Sequence, residues 1–405
     1  MMDILPSSNP SSSDSQGVTK DFRGTRWIFF ISTLPFCVFL ILFVPYLTIV
    51  SSILTSLIIA WISSLWIKRL LAAFFPYRIS THDKAVLITG CDYGVGHGAA
   101  LALNKRGFLV FATCLNANSE GASKLKSDAT NPDRMIVFNL DISSEQDADN
   151  AVETVRHHLN EYKVLDANAQ ETSQTHQLWA LVNNAAISRT GKLEWGEFDY
   201  HFQPLFQVNV VGTVRITRKF LPLLRESRGR IIFMSSVAGR VTDACYAAYS
   251  MTKHAITSFA DGLRLEMARF GIRVVTIEPW FLRTPMMDQD VTLGRLNKMW
   301  QQTPFSIQAV YGQHDFDKLR RNIQLLINEP GMGLDESYRA TLSNITRSVL
   351  SLDPEYAELA CSTAQRPILY LIQVIPREWV DLYFQIVKVF LNIVERINKK
   401  RNIGQ

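Results

Sequence analysis

A tyrosine and a lysine four residues apart form the first pair in this sequence whose spacing suggests chemistry. Tyr249 and Lys253 would share one face of a helix, because residues at positions i and i+4 lie one above the other. At an effective dielectric of about 20, two charges about 4 Å apart interact by roughly 4 kcal/mol, or about three pKa units. An ammonium could therefore let this phenol exchange protons around neutral pH.

Two serines upstream strengthen this interpretation, because Tyr and Lys alone often meet at this spacing by chance. Ser235 and Ser236 end an apolar, strand-like run, and Ser236 precedes Tyr249 by 13 residues. A hydroxyl there could bind a substrate oxygen. Tyr246 is the competing tyrosine, but four residues later it meets Ser250 and not a lysine.

A glycine-rich turn between a strand-like run and a helix-like segment predicts a nucleotide site. Glycines let the backbone turn tightly and approach a pyrophosphate, which then lies on the helix N-terminus. The predicted cofactor-binding residues of this turn are Thr89, Gly90, Gly94 and Gly96.

The end of the second strand bears on which dinucleotide would bind. The stretch 113–116 has no acidic residue for a ribose 2′-hydroxyl, and it has no Arg or Lys for a 2′-phosphate. Asp92 inside the glycine turn would repel a phosphate. NAD is therefore favoured over NADP.

Six short apolar runs alternate with helix-like stretches after residue 83. This alternation predicts an α/β fold, a Rossmann-type doubly wound parallel sheet. A surface loop is expected at Glu161–Gln177. The predicted strands are Ala85–Thr89, Phe108–Ala112, Ile136–Leu140, Trp179–Val182, Ile231–Met234 and Val274–Ile277.

In combination these motifs resemble the classical short-chain dehydrogenase/reductase family over about residues 83–385. The motifs are the glycine turn, Asn183-Asn184-Ala185-Ala186 after the fourth strand, a serine, and Tyr-x-x-x-Lys. The chain is most similar to the membrane-bound branch with 17-beta-hydroxysteroid dehydrogenase type 2, the retinol dehydrogenases and 3-hydroxybutyrate dehydrogenase. Stretches such as Lys84–Gly90, Gly107–Ala112, Phe220–Arg225 and Tyr311–Gln313 carry this closer likeness.

The resemblance implies a role for each matching residue. Tyr249 transfers the proton, Lys253 lowers its pKa and binds the nicotinamide ribose, and Ser236 hydrogen-bonds the substrate oxygen. Asn209 holds a water in the proton relay. Asp141 contacts the adenine, Asn183 lines the cofactor cleft, and Thr284 belongs to the cofactor motif that follows the sixth strand.

Two departures from the family pattern concern this cleft. The family motif Pro-Gly-x-x-x-Thr is Pro279–Thr284 here, with Trp280 in place of the glycine. The tryptophan could narrow the pocket beside the nicotinamide. Ala186 replaces another usual glycine, and neither change removes a catalytic group.

The N-terminal part predicts attachment to a membrane. Residues 1–26 are interpreted as a disordered tail and 27–75 as a transmembrane anchor. The 41 residues from Trp27 to Ile67 carry no charge, and about 20 apolar residues span a bilayer once. Two spans with basic flanks would keep the catalytic domain cytosolic; one span would place it in the lumen. We expect the endoplasmic reticulum membrane.

Residues 83–285 are interpreted as the NAD-binding catalytic domain and 286–405 as a substrate-pocket and helical C-terminal extension. Methionines and aromatics in this extension offer apolar pocket walls: Met286, Met287, Met299, Trp300 and Phe305. Glu378–Lys399 predicts a helix that packs on the domain or lies in the membrane interface. The sequon Asn344-Ile345-Thr346 leaves the topology open, since a lumenal domain could use it.

Composition excludes other classes of protein. Hydrophobic residues make up 47% and charged residues 20%, which excludes a disordered chain, and the net charge of +5 comes without the dense basic block of a nucleic-acid binder. Five separated cysteines without a Cys-x-x-Cys pair predict neither a zinc site nor a disulfide framework. No metal is expected, and the resemblance leaves a homodimer open.

The sequence thus predicts an oxidoreductase that transfers a hydride between a lipophilic, steroid-like secondary alcohol or ketone and NAD. A retinol dehydrogenase, an NADPH-linked ketone reductase and a non-catalytic membrane-bound lipid or cofactor sensor are the alternatives. Steroid and lipid metabolism follow from the expected location rather than from pocket chemistry.

Overall fold

The structure is a computed structural model of the 405-residue chain. It describes residues 34, 52–64, 67, 79–161, 163–165, 171–328, 334–376, 378–382 and 386. The chain forms two compact units, Met1–Tyr77 and Arg78–Gln405.

The first unit contains a helix at 52–64 whose side chains are exposed, including Leu57 and Trp61. Within the described ranges, no helix has both the length and the apolar character that a membrane crossing requires. The predicted tail at 1–26 lies outside the described residues. The same is true of most of the predicted anchor at 27–75 and of most of the predicted helix at Glu378–Lys399.

The second unit is built on a seven-stranded parallel sheet in the order β3-β2-β1-β6-β7-β8-β9. The predicted doubly wound parallel α/β sheet is therefore confirmed. The seven strands are β1 (Lys84–Ile88), β2 (Leu109–Cys114), β3 (Met135–Asn139), β6 (Gln177–Asn183), β7 (Arg230–Met234), β8 (Arg273–Pro279) and β9 (Ala357–Ala360).

Two short strands, β4 (Lys163–Leu165) and β5 (Glu171–Thr175), form a separate antiparallel pair within the segment expected to be a loop. The second unit includes the helices α1 (Gly94–Asn104), α2 (Glu120–Asp128), α3 (Glu145–Glu161), α4 (Phe198–His201), α5 (Gln203–Phe206), α6 (Thr213–Ser227), α7 (Ala247–Met267), α8 (Gln289–Gln301), α9 (Phe305–Asn328), α10 (Leu334–Leu350) and α11 (Arg366–Val374).

Both faces of the sheet are covered by helices, which explains the nearly continuous apolar strands. In β1, Val86 and Ile88 belong to the core cluster that includes residues of α1, α2 and α10. Ala85 and Leu87 belong to the opposite cluster, with residues of α3, α6 and α7. Successive side chains of a strand point to opposite faces, so each strand contributes to both layers.

The seventh strand lies within the segment that the sequence suggested was a helical extension. Ala357–Ala360 pairs in parallel with β8, and α10 before it packs on α1. Arg230 at the start of β7 is 2% exposed and donates to the carbonyl of Ser348 at the end of α10, at 2.7 Å. A boundary at residue 285 would therefore cut through this layer.

The sequon at Asn344 lies inside α10. Asn344 is 4% exposed, and its side-chain amide donates to the carbonyl of Leu359 at 3.4 Å. The folded protein has no room for a glycan on this buried amide, so the sequon gives no support to a lumenal domain.

A third apolar cluster joins α8 and α9 beside the sheet. Trp300 stacks on Phe316 with ring centroids 5.1 Å apart, and Trp195 meets Trp300 edge-on at 4.7 Å. Met299 is fully buried in this cluster. Three expected pocket-wall residues lie elsewhere: Met299 and Trp300 serve packing, and Phe305 is 84% exposed.

Candidate active site

A cavity of about 1210 Å³ lies at the carboxyl ends of the central strands. Strand order reverses between β1 and β6, and ligands of open α/β sheets bind in the crevice at such a switch point. Ordinary ligand pockets measure about 300–1,000 Å³, so this cavity is larger than a usual pocket for one ligand.

The glycine turn forms one end of this cavity. Gly90 and Gly94 have φ angles of +71° and +69°, which side chains rarely adopt, and both line the cavity. A Cβ on Gly96 would lie 2.3 Å from the carbonyl oxygen of Gly90. Helix α1 begins at Gly94 without a side-chain cap, so its first N–H groups are available to an anion.

Thr89 and Asn184 hold this turn in place. The hydroxyl of Thr89 accepts N–H bonds from Asn184 and Ala185, each at 3.0 Å. The Asn184 amide donates to the carbonyls of Thr89 and Gly90 at 2.9 Å. Thr89 is buried beneath the turn and is not among the residues that line the cavity.

Asn184, and not Asn183 as expected, lines the cofactor cleft. Asn183 is 6% exposed, and its amide donates to the Thr217 hydroxyl at 3.0 Å, away from the cavity. Asn184 lines the cavity instead. In a strand, successive side chains alternate in direction, so the motif alone could not decide which asparagine faces the cleft.

Two carboxylates stand at the same end of the cavity. Asp92 accepts the backbone N–H of Leu115 at 3.1 Å and that of Asn116 at 3.5 Å, just after β2. Asp141 lines the cavity and accepts the backbone N–H and the hydroxyl of Ser143. Asp92 thus places a carboxylate at the end of β2, where the segment 113–116 has no acidic residue.

Tyr249 and Ser236 meet at the end of β7. The Ser236 hydroxyl is close enough to the Tyr249 phenol to lower its pKa, and both side chains line the cavity. The Ser236 hydroxyl also accepts the N–H of Ala238 at 3.1 Å. Ser235 points elsewhere, since its hydroxyl contacts that of Thr257 at 2.8 Å. The structure therefore selects Ser236 from the serine pair.

Lys253 lies beneath Tyr249, one turn further along α7. Its Nζ is 5.6 Å from the centroid of the Tyr249 ring and donates to the carbonyl of Met234 at 2.7 Å. Burial lowers the pKa of Lys253 to about 8.

The expected lowering of the Tyr249 pKa is not observed in this arrangement. Burial raises the pKa of Tyr249, the nearby Tyr246 raises it further, and only the neighbouring Ser236 hydroxyl lowers it. The Lys253 ammonium donates to the Met234 carbonyl and does not offset the burial of the phenol.

Asn209 lies in a π-helical turn, Gln207–Gly212, a feature that is frequent at functional sites. Its amide donates to the carbonyl of Ile187 at 2.9 Å and to the hydroxyl of Thr252 at 3.1 Å. It also accepts the N–H of Ile187 at 2.8 Å. Asn209 therefore holds the loop after β6 against α7, behind the cavity wall.

Thr284 and Trp280 line the cavity from the segment that follows β8. Trp280 continues the strand ladder, with its backbone N–H donating to the carbonyl of Ala360 at 3.0 Å. Its ring packs against the cluster that contains Leu359 and Leu369. Trp280 thus packs against α11 and also forms part of the cavity wall.

Helices distant in sequence complete the cavity. Leu319 and Ile323 of α9 and Ile368 and Ile372 of α11 line it, and Met286 and Met287 do so as expected. Helical spacing of apolar residues occurs on every packed helix, so nothing in the sequence distinguished these from ordinary core residues.

The lowered pKa of Lys253 predicts a pH effect on stability without ligand. From pH 8 to 10.5 the unfolded chain binds more protons at this lysine than the folded chain does. The free energy of unfolding should therefore rise with pH there, by up to about 1.4 kcal/mol per unit. Denaturant unfolding of the wild type and Lys253→Met should give curves that diverge across this window; parallel curves would contradict a lowered pKa.

The chain is similar in sequence to known proteins. The family model described as "short chain dehydrogenase" matches residues 84–292. The rat mitochondrial D-beta-hydroxybutyrate dehydrogenase is 35% identical over 237 residues, 58% of this chain and 65% of the relative, which is less than two thirds of its length.

Two further relatives are similar over larger shares of their own length. Human 17-beta-hydroxysteroid dehydrogenase type 6 is 34% identical over 58% of this chain and 69% of its own length. Rat retinol dehydrogenase 16 is 31% identical over 70% of this chain and 80% of its own. The names of these relatives contain three different substrates, so similarity alone does not select one.

Proposed function

Because the chain belongs to the short chain dehydrogenase family, we propose that it is an NAD-dependent oxidoreductase acting on a lipophilic secondary alcohol, steroid-like in bulk, or on the corresponding ketone. The observation that carries the proposal is the placement of Ser236 and Tyr249 together above Lys253, at the edge of a cavity that also holds the glycine turn. Proton-transfer groups and a dinucleotide cradle are both needed for this reaction.

The residues of the cavity fit a nicotinamide dinucleotide. The glycines leave room for a pyrophosphate, and the uncapped start of α1 offers N–H donors to it. Asp92 and Asp141 would hold the adenosine end, and Thr284 and Lys253 would hold the nicotinamide end. When bound, this cofactor accepts or supplies the hydride.

The side chains at the other end would handle the proton. Ser236 binds the substrate oxygen and holds it beside the Tyr249 hydroxyl. As a base, Tyr249 must first lose its own proton, and Lys253 is the cation on the same helix face that favours this loss. General acid–base catalysis of this kind contributes about 10²- to 10⁴-fold to a rate.

NAD is the form that we propose, because the two carboxylates Asp92 and Asp141 stand at the adenosine end of the cavity. A 2′-phosphate there would be repelled. In support, the described residues that line the cavity include Lys192, Lys253 and Lys318 but no arginine, and none of these lysines lies after β2.

Asp92→Asn tests the choice of dinucleotide. We expect the ratio of kcat/KM for NAD to that for NADP to fall by about tenfold or more, since a charge–charge contact exceeds about 1.4 kcal/mol. The amide oxygen can still accept the N–H of Leu115. An unchanged ratio would contradict the role of this carboxylate, and Asp128→Asn, on the exposed end of α2, is the matched control.

The substrate class is tested by NADH formation with the full chain in detergent. Steroid alcohols, retinol and 3-hydroxybutyrate would be supplied with NAD, and the reverse reaction would be followed with NADPH. We expect oxidation of a bulky apolar alcohol. Binding of NAD without oxidation of any alcohol would instead favour a lipid or cofactor sensor.

We also propose that the chain acts at a membrane, of the endoplasmic reticulum, with the catalytic unit in the cytosol. The uncharged run from Trp27 to Ile67 and the exposed apolar side chains of the helix at 52–64 support this. Alkaline extraction of cell membranes should leave the full chain in the pellet. Release into the supernatant would contradict an integral anchor.

A further inference from the structure

A small recess of about 10 Å³ lies next to the main cavity. Thr292 and Arg295, one turn apart on α8, line the recess but not the main cavity. Methionine side chains change rotamer readily, so the wall between recess and cavity can adapt to a ligand. Four residues line both spaces: Ser188, Thr190, Met286 and Met287.

The recess contains polar groups without partners. Thr292 is 7% exposed, and its hydroxyl has no hydrogen-bond partner among the described residues. Arg295 is half-buried and makes neither a hydrogen bond nor an ion pair within the described part of the chain. A buried polar group without a partner is costly, so this pair points to a ligand that satisfies it.

The charge around the recess indicates the kind of ligand. Arg189 adjoins Ser188, and its Nε is buried without a partner. Burial lowers the pKa of Arg189, and the charge of Arg295 lowers it further. Neither arginine pairs with a carboxylate of the described residues. A neutral oxygen would satisfy the Thr292 hydroxyl, but only an anion would also neutralise the guanidinium groups.

The recess lies close to the reacting groups. The backbone N–H of Gly191 donates to the carbonyl of Cys245 at 2.9 Å, which holds the loop of Ser188 and Thr190 against the segment before α7. Thr190 interacts with Tyr246, and Tyr246 in turn neighbours Tyr249. One molecule could therefore reach both Tyr249 and the recess.

We propose that the recess binds a carboxylate of the substrate, which would then be an apolar hydroxy acid. This inference rests on the proposed function. The hydroxyl would lie at Ser236 and Tyr249, the carboxylate at Arg295 and Thr292, and the hydrocarbon part against the apolar side chains of α9 and α11. Arg295 is thus proposed to determine specificity and takes no part in the proton transfer.

The test compares three probes that share one chain: 3-hydroxyoctanoate, its methyl ester and 2-octanol. NADH formation by the full-length protein should be fastest with the free acid. Arg295→Met should lower kcat/KM for the acid about 10- to 100-fold, mainly through KM, and should leave the ester and the alcohol nearly unaffected. Arg295→Lys should restore part of the loss, and Arg321→Met, on the exposed side of α9, is the control.

Binding of octanoate tests the recess without turnover. We expect octanoate to raise the unfolding temperature of the wild type but not that of Arg295→Met. The inference would be overturned if octanoate raised the unfolding temperature of both proteins equally. It would also be overturned if Arg295→Met lowered kcat/KM equally for the acid and for the alcohol. If the inference is overturned but 2-octanol is oxidised, the proposed function still stands. If no probe is oxidised but octanoate binding depends on Arg295, the proposed function fails while the carboxylate site stands.

Discussion

Tyr249→Phe is expected to reduce NADH formation by at least about 10³-fold while leaving dinucleotide binding intact. The hydroxyl that exchanges the proton is removed, and general acid–base groups contribute about 10²- to 10⁴-fold. The ring remains, so its packing should be retained. Turnover would be measured with the alcohol identified in the panel, and binding by quenching of tryptophan fluorescence with NADH.

Tyr246→Phe is the matched comparison for this variant. Both tyrosines line the same wall of the cavity, and burial raises the pKa of Tyr246 to about 12. Only Tyr249 lies beside the Ser236 hydroxyl and above Lys253. We expect a much smaller loss for Tyr246→Phe. Equal losses for the two variants would mean that either phenol can serve, and a larger loss at Tyr246 would reverse the assignment.

Gly96→Ala is expected to lower the affinity for the dinucleotide by at least about tenfold and to destabilise the fold by about 1–3 kcal/mol. The added Cβ would lie 2.3 Å from the carbonyl oxygen of Gly90 and 2.5 Å from the Asn184 amide nitrogen. One of these contacts is with backbone, so the turn itself must move, and overpacking of this kind costs about 1–3 kcal/mol.

Gly262→Ala is the control, because a Cβ there meets nothing within 4 Å. Gly262 lies inside α7, where alanine is favoured over glycine by about 1 kcal/mol. This variant should bind NADH normally and unfold at a slightly higher denaturant concentration. Dinucleotide titrations and denaturant unfolding measure both quantities. Normal affinity in Gly96→Ala would remove the glycine turn from the proposed cofactor site.

The parallel sheet and the catalytic pair were predictable because their signals are local. Strands buried on both faces are continuously apolar, and Tyr249 and Lys253 share a helix face through their spacing alone. The glycine turn follows a strand and opens a helix, so its geometry is also a local matter. Each of these features depends on residues within about two turns of one another.

Other features depended on contacts between distant parts of the chain. The seventh strand is four residues long, and only pairing with β8 distinguishes it from a loop. Which asparagine faces the cavity, and which serine meets Tyr249, depended on strand register, because a shift of one residue reverses side-chain direction. The pKa of Tyr249 is set by burial, which no local pattern encodes.

The sequence by itself determined the fold class, the proton-transfer pair and the glycine cradle, since backbone geometry and helical spacing follow from neighbouring residues. The tertiary structure alone decided where the carboxylate of Asp92 lies and which helices form the substrate walls. It also brought Thr292 and Arg295 next to Ser188 and Thr190. Some of these arrangements join segments that are about a hundred or more residues apart. The packing of helices against the sheet brings such segments together.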